Sequence, residues 1–327
     1  MAQRFKLGTT SVLATATLAA LFLGACSRPA TEAAESTSAG GSIRIAVGID
    51  ASYAPFFLAK DEGMFDAAGL DVELVQFGRG GEAVDALSTG QVQMAGSSDT
   101  TTIAQLQQNP GLRAMYSYET SGEYIKVVLR NRVDSPQAIR KLGIVPGLSQ
   151  ISTDKYLEAN GIAADSIEEI TATPTDMPAL LSRGDIDGYV LWEPWPTAAL
   201  DQGTGKVVAT TGDYDWFYHH WAITTDSWLS ANEETARTVR DVLQEATEKV
   251  EADPAAATAA TMAAVNSDEQ QTLTAIDEID FVVEDLTEKS IEDAQSVVDF
   301  YLKVGAMNAQ PDLNASILVD WSEGGQA

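Results

Sequence analysis

Two tryptophans and a glutamate stand close together near the middle of the chain, at the end of residues 184–196 (GDIDGYVLWEPWP). A carboxylate beside aromatic rings can bind a cation or an amino-bearing heterocycle by charge pairing, cation–π contact and stacking. Pro194 and Pro196 end any regular strand, so the cluster is predicted to lie in the loop that follows the apolar segment. In open α/β sheets, that end of a strand is where ligands bind. The stretch is a candidate wall of a binding site.

A similar unit occurs 94 residues earlier. Residues 87–93 (LSTGQVQ) align with residues 181–187 (LSRGDID), and each follows an apolar helix and leads through a short strand into a polar loop. Chance similarity between two βα units is one explanation. Because the same elements surround both copies, we favour a second explanation, in which the protein has two similar lobes whose loops face each other.

The elements around these units predict a two-lobed α/β protein. Residues 43–48 and 70–75 have strand patterns on either side of a helix, which indicates a βαβ unit and a parallel sheet. The strand at 124–129 is long enough to cross into a second lobe, and residues 222–225 could cross back. The remainder has helical periodicity from a capping box at Ser230 and Glu233 onwards, and we expect these helices to cover the first sheet.

A second polar loop, residues 146–153 (PGLSQIST), enters a helix in the predicted second lobe. Free backbone N–H groups at a helix N-terminus can receive a small anion or a carbonyl oxygen. A plain helix cap is the structural alternative.

The first 25 residues have the pattern of a targeting segment. Arg4 and Lys6 precede an apolar run, which ends in Leu23-Gly24-Ala25-Cys26. This ending resembles the lipobox of bacterial lipoproteins, with Cys26 as the lipidated first mature residue; an ordinary secretory signal is the alternative. Cys26 is the only cysteine, so no disulfide is available. Residues 26–42 are small and polar and are predicted to form a flexible tether.

Charge and residue inventory exclude several classes of function. A net charge of −28 argues against binding to nucleic acid or to an anionic membrane surface. This acidity is explained either by a saline habitat or by a cleft that attracts cations. The two histidines, His219 and His220, are adjacent and would point to opposite faces of a strand, so neither a metal site nor a catalytic triad is predicted. The inventory fits a binding protein better than an enzyme.

Three stretches carry a resemblance to a known family. They are residues 48–100, residues 142–162 (LGIVPGLSQISTDKYLEANGI) and residues 184–195, and they resemble periplasmic solute-binding proteins of ABC importers. The similar branch binds nitrate, sulfonates or taurine and also holds binders of thiamine-pyrimidine precursors. The resemblance implies a type II periplasmic binding protein, an α/β fold of two lobes joined by two crossing strands, with the ligand in the cleft. Lobe 1 is expected at 43–123 and 225–327, and lobe 2 at 124–224.

The resemblance also implies which loops bind the ligand. Carried onto this sequence, the cleft positions are Asp50, Tyr53, Ser97, Ser98, Asp99, Thr100, Gly147, Ser149, Gln150, Trp192, Glu193 and Trp195. Packing beside the hinge is the structural alternative for the tryptophans. Arg79 is the only basic residue near these loops, whereas acids and aromatic rings are several, so a cationic, zwitterionic or amino-heterocyclic ligand is favoured over a plain anion.

The expected function is therefore capture of a small nitrogen- or sulfur-containing solute by cleft closure. An aminosulfonate such as taurine, an alkanesulfonate and a pyrimidine-type precursor are the candidate solutes. The resemblance implies an ABC permease and ATPase as partners, a monomer without cofactor or metal, and a lipid anchor at the outer face of the cytoplasmic membrane or in the periplasm. The alternatives are an enzyme of the same fold, as in thiamine-pyrimidine or menaquinone biosynthesis, and a lipoprotein that senses a ligand.

Overall fold

The structure, a computed structural model, describes residues 42–324. The predicted signal segment, Cys26 and the tether up to residue 41 lie outside these residues. Among the helices that the structure describes, none is both long and apolar enough to span a membrane.

Residues 42–324 form eleven strands and twelve α-helices. The strands are β1 (Ile43–Val47), β2 (Val72–Gln76), β3 (Met94–Ser98), β4 (Leu112–Ser121), β5 (Lys126–Arg130), β6 (Lys141–Ile144), β7 (Glu168–Thr171), β8 (Gly188–Leu191), β9 (Gly205–Thr210), β10 (Tyr218–Thr225) and β11 (Glu284–Asp285). The helices are α1 (Ala54–Asp61), α2 (Met64–Ala67), α3 (Gly80–Ser88), α4 (Asp99–Leu106), α5 (Leu148–Ala159), α6 (Met177–Arg183), α7 (Trp195–Asp201), α8 (Asp226–Ala252), α9 (Pro254–Val265), α10 (Glu269–Asp277), α11 (Glu288–Lys303) and α12 (Leu313–Ser316).

The strands form two separate mixed sheets. The first has the order β11-β4-β10-β3-β1-β2, and the second has the order β7-β6-β8-β5-β9. In the first sheet β1 pairs in parallel with β2 and β3, while β10 is antiparallel to β3. In the second sheet β6 pairs in parallel with β7 and β8, while β5 is antiparallel to β8. The run β10-β3-β1-β2 therefore corresponds strand for strand to the run β5-β8-β6-β7.

The repeated sequence unit folds in the same way in both sheets. Helix α3, a turn at Gly90 with φ +73°, strand β3 and helix α4 match helix α6, a turn at Gly184 with φ +79°, strand β8 and helix α7. Each glycine lies in the left-handed region, where a side chain is strained, and this allows the chain to turn from helix into strand. Ser98, which ends β3, and Trp192, which follows β8, are equivalent positions 94 residues apart.

The chain passes between the sheets twice. Residues 122–125 connect β4 to β5, and residues 211–217 connect β9 back to β10. Strand β10 pairs over its whole length with the first sheet, so residues 222–225, which the sequence suggested as a crossing, lie within that sheet. Two lobes joined by two crossings are thus present, and the predicted lobe limits stay a prediction.

The C-terminal helices pack on the side of the first sheet, as the sequence predicted. Helices α8 and α9 contact α1, and α11 contacts α4. Helix α8 begins at Asp226 behind a cap at Thr225, four residues before the predicted capping box, and it is kinked at Asn232. Asp253 caps helix α9, because its carboxylate accepts from the backbone N–H of Ala256.

Candidate functional site

A cavity of about 240 Å³ lies between the two sheets. Its walls come from the segments that follow β1, β2 and β3 in the first sheet and β6 and β8 in the second. These are the carboxyl ends of the parallel strands, where the polar loops of an α/β sheet converge. The volume is below the range of about 300–1,000 Å³ that is usual for drug-sized ligands, so the cavity fits a small solute.

A second cavity of about 220 Å³ adjoins the first toward the outside. The two share Asp50, Gly78, Arg79, Glu82 and Trp192 among their lining residues. Trp192 therefore forms part of both walls, and together the two cavities make a cleft that leads inward between the lobes.

The inner cavity has aromatic walls from both sheets and from a crossing segment. The rings are those of Tyr53, Phe77, Tyr124, Trp192 and Tyr218. The Tyr53 ring lies against Gly48 at the end of β1, where an added Cβ would collide with the ring. Glycine at this position therefore makes the room that the ring needs. Such walls can stack on a planar ring or make cation–π contact with a positive group.

Acidic groups outnumber basic ones along the inner cavity. The lining residues with a carboxylate, guanidinium or imidazole group are Asp50, Arg79, Glu82, Asp85 and His220. The guanidinium of Arg79 pairs with Glu82, at 2.7 Å between Nη2 and Oε1, so its charge is already matched. The remaining acids give the cavity a negative balance, which opposes a ligand that is only an anion.

Asp50 occupies the position where the first strand turns into the first helical segment. Its carboxylate accepts from the backbone N–H of Ser52 at 3.0 Å, which caps a short 3-10 turn at Ala51–Tyr53. Burial raises the pKa of Asp50, although His220 and the hydrogen bonds from Ser52 oppose that effect. The side chain lines both cavities, as Glu82 does, but Glu82 is paired with Arg79, whereas Asp50 has no ion pair with a described lysine or arginine.

A buried acid and a histidine lie behind the inner wall. Glu119 on β4 is 0% exposed and His220 on β10 is 6% exposed. Glu119 Oε1 lies 3.0 Å from His220 Nδ1, and the Tyr118 hydroxyl lies 3.1 Å from the same nitrogen. The rings of Tyr53, Tyr118 and Tyr218 surround the imidazole at centroid distances of 5.5–5.8 Å. Only His220 of this pair lines the cavity itself.

The N-terminal ends of α3, α4 and α5 border the inner cavity. Lining residues include Gly80 and Gly81 of α3, the Ser98 cap of α4 and Leu148 of α5. Helix N-termini carry free N–H groups and a positive partial charge. They can therefore bind a negatively charged group of a ligand, which the acids of the cavity cannot do. Ser98 is partly engaged, since its hydroxyl donates to Thr101 Oγ1 at 2.8 Å.

The two lobes touch across the cavity at Gly147 and Thr101. Gly147 caps α5 with φ +98°, and a Cβ there would lie 2.6 Å from Thr101 Oγ1 on α4. The glycine therefore permits both the backbone conformation and the close approach of the lobes.

The variant Gly147→Ala is expected to hold the lobes apart. The backbone conformation costs about 1–3 kcal/mol with a side chain, and the added methyl group also collides with Thr101. Small-angle X-ray scattering should show a larger radius of gyration than for the wild type. Gly161→Ala is the matched control, because Gly161 has φ +65° but no atom within 4 Å of the added Cβ. An unchanged radius for Gly147→Ala would contradict this role.

Five of the residues chosen from the sequence lie along the cleft. Asp50, Tyr53, Ser98 and Trp192 line the inner cavity, and Trp195 lines the outer one. The structure thus brings together residues from three of the loops that the resemblance implied. Gly147 lies at the lobe contact beside them.

The structure places the remaining candidate residues from the sequence outside the two cleft cavities. Asp99 lines a cavity of about 530 Å³ on the far side of β10, together with His219. Ser97 and Thr100 are fully buried, and the Thr100 carbonyl accepts from the Tyr301 hydroxyl. Ser149 is buried with its hydroxyl accepting from the N–H of Val145, and Gln150 lines neither cleft cavity.

Glu193 points away from the cleft into an ion pair. Its carboxylate lies 2.7 Å from Lys126 Nζ and also accepts from the N–H of Thr197. Lys126 makes a second contact of 2.7 Å with Glu278. Lys126 belongs to the second sheet and Glu278 follows α10 on the side of the first, so this triad ties the lobes together beside the crossings.

Several residues at the cavity are not among the candidates that the sequence indicates. These are Arg79, Thr101, Gln105, Tyr124, Tyr218 and His220, with Glu119 directly behind. For Glu119, Tyr218 and His220, the signal that could have identified them is the pair of strands β4 and β10, which carry an acid and a histidine among apolar and aromatic residues. Within residues 42–324, no group of three or more His, Cys, Asp or Glu side chains is placed to hold a metal ion.

The fold and the cleft define a two-lobed protein of the periplasmic binding type. Residues 50–257 match the family described as NMT1/THI5 like, which is more than half of the chain. The chain belongs to this family.

One curated relative is named for binding taurine and another for nitrate import. The taurine-binding periplasmic protein of Escherichia coli K12 is 27% identical over 195 residues, which are 58% of each chain. The nitrate import ATP-binding protein NrtC of Synechococcus elongatus is 25% identical over 206 residues, covering 56% of this chain and 31% of that protein. The chain thus spans less than two thirds of the length of these relatives.

Solved structures share the fold at low identity. The periplasmic aliphatic sulphonate-binding protein SsuA of E. coli superposes with a TM-score of 0.76 at 16% identity, covering 85% of this chain and 98% of that one. The alkanesulfonate-binding protein SsuA of Xanthomonas axonopodis gives 0.73 at 15%, with 85% and 99% covered. The nitrate-binding protein NrtA of Synechocystis gives 0.69 at 16%, with 84% of each chain covered.

Proposed function

We propose that this protein is the extracytoplasmic substrate-binding component of an ABC importer, and that it captures a small solute by closure of its lobes. The observation that carries the proposal is the aromatic, charge-bearing cavity at the carboxyl ends of the parallel strands of both sheets. The family and the relatives support it, because the proteins it resembles are named for binding or importing taurine, sulfonates and nitrate.

The solute is a small nitrogen- or sulfur-containing molecule: an aminosulfonate such as taurine, an alkanesulfonate or a pyrimidine-type precursor. The charges along the cavity favour a solute that carries an amino group. Asp50 offers a carboxylate to a positive nitrogen, while Arg79 and the N-terminus of α3 offer donors to an anionic group. An aminosulfonate satisfies both ends, whereas nitrate satisfies only one.

The proposal includes a lipid anchor at Cys26 and the other subunits of the importer as partners. Lipidation at Cys26 would hold the protein at the outer face of the cytoplasmic membrane or in the periplasm, within reach of a permease and its ATPase. The protein acts as a monomer that binds its solute without chemical change.

A thermal-shift panel tests the proposed function. The purified protein is heated with taurine, ethanesulfonate, nitrate and an aminopyrimidine, each in large excess. Binding at about 100 times Kd adds about 2.7 kcal/mol, which raises the melting temperature by about 5 °C or more. We expect this shift with taurine or the aminopyrimidine and none with nitrate.

Two tryptophan variants test whether the solute binds in the cleft. Trp192→Ala should lose the shift, because Trp192 lines both cavities, whereas Trp228→Ala in α8 should keep it. The proposal fails if no compound in the panel shifts the wild-type protein.

A further inference from the structure

The Glu119–His220 pair is a buried titratable group that the proposed function leaves unused. It sits against the cavity wall, with Glu119 Oε1 3.0 Å from His220 Nδ1. Neither oxygen of Glu119 makes a well-aligned hydrogen bond with any described residue. Within residues 42–324, no lysine or arginine forms an ion pair with Glu119 or with Asp50. His220 is therefore the only described group that can balance these two acids.

Titratable groups on several elements act on His220, while its partner on β3 is the uncharged Ser98. Glu119 and Tyr118 come from β4, Tyr218 from β10 itself, Asp50 and Tyr53 from the segment after β1, and Asp99 from the start of α4. Two acids and three phenols thus lie around the imidazole, and Asp99 acts on it from the far side of β10. A positive charge on His220 is stabilised by these neighbours.

The pair retains one proton in the empty cavity. Burial acts to lower the pKa of His220, but Glu119, Asp50 and Asp99 outweigh it and raise the pKa above its ordinary value. Burial also raises the pKa of Glu119, although His220 opposes this. Both directions favour the protonated form, so one proton stays on the pair whichever atom holds it.

We propose that the Glu119–His220 pair releases its proton to solvent when a solute places an ammonium group beside Asp50, so that the protein captures primary amines in exchange for a proton. The inference rests on the proposed function, since it assigns the amino end of the solute to this cavity. No bond of the solute changes. One positive charge enters as the ammonium group and one leaves as the proton, so the buried acids remain balanced.

The exchange predicts how binding depends on pH and on the solute. A proton released on binding makes affinity rise with pH up to the pKa of His220 in the unbound protein, which lies above the ordinary histidine value, and level off at higher pH. Taurine should show this dependence. Isethionate has a hydroxyl in place of the ammonium group and should not.

Isothermal titration calorimetry with taurine measures the exchange directly. The same titration is run at one pH in phosphate and in Tris, and the difference in observed enthalpy gives the number of protons released. We expect about one proton per taurine for the wild type. His220→Gln should release none, and His219→Gln is the matched control because His219 lines the cavity on the other side of β10. Melting curves establish that both variants fold.

The outcomes separate the two proposals. Taurine binding with the same enthalpy in both buffers overturns the proton exchange and leaves the proposed function standing. An aminopyrimidine or alkanesulfonate that binds where taurine does not also overturns the exchange alone. Failure of every compound in the thermal-shift panel overturns both. If His220→Gln does not fold, the wild-type comparison between buffers still decides the exchange.

Discussion

Lys126→Met is expected to lower the free energy of unfolding by about 3–5 kcal/mol, the range observed when one partner of a buried ion pair is removed. Lys126 is 11% exposed and lies 2.7 Å from both Glu193 and Glu278. Methionine keeps most of the side-chain length, so packing is largely retained. The loss comes from two carboxylates that are left without their cation. Urea unfolding of both proteins measures it.

The pH dependence distinguishes this loss from a packing defect. Burial raises the pKa of Glu278 even with Lys126 beside it, and without Lys126 that pKa rises further. A folded-state pKa above the unfolded value favours the native state at low pH, and this contribution is lost as pH rises through the folded pKa. The variant's deficit should therefore be larger at about pH 8 than at about pH 5.

Lys141→Met is the control for this prediction. Lys141 also pairs with an acid, Glu168 at 2.8 Å, but it is 45% exposed, so water replaces the lost partner. Little change in stability is expected. Equal effects of the two substitutions would show that the triad around Lys126 does not tie the lobes together.

Asp50→Asn is expected to weaken taurine binding about 100-fold, or about 2.7 kcal/mol. The asparagine oxygen can still cap the turn by accepting from Ser52, so the fold is retained. What disappears is the negative charge that faces both cavities. Equilibrium titration of the wild type and the variant by calorimetry gives the two dissociation constants.

Asp66→Asn is the matched control, since it changes the net charge equally at an exposed position. Its affinity for taurine should equal that of the wild type. If both substitutions weaken binding to the same extent, the overall acidity of the protein attracts the solute and Asp50 does not contact it.

The sequence was sufficient for the fold because the pattern that carries it is local. A helix, a left-handed glycine, a short strand and a polar loop occur at Gly90 and again at Gly184, and both copies fold as predicted. The correspondence extends to the loops. Ser98 and Trp192 occupy equivalent positions, and both line the inner cavity.

The sequence did not predict where the acidic side chains after Ser98 and Trp192 point. Asp99 and Glu193 are also equivalent positions, and neither lines the inner cavity. Asp99 lines the cavity on the far side of β10, and Glu193 is held by Lys126, which lies 67 residues away in the chain. A partner at that separation leaves no local pattern. The preference for an amino-bearing solute therefore rests on Asp50 and the Glu119–His220 pair. Glu193 does not contribute to it, because its carboxylate is paired with Lys126.

The sequence does not predict a role for His220, because two adjacent histidines cannot share a face of a strand. The alternation holds, since His220 lines the inner cavity and His219 lines the one behind it. The partner of His220 is Glu119 on β4, which is brought close by antiparallel pairing of β4 with β10. Register between strands about 100 residues apart depends on the whole sheet, and a single sequence does not reveal it.

A crystal structure with taurine tests the central claim most directly. We predict electron density in the cavity between the sheets, with the nitrogen beside Asp50 and the sulfonate toward Arg79 and the N-terminus of α3. Taurine bound in the cavity lined by Asp99 and His219, or an empty inner cavity under saturating taurine, would contradict the account.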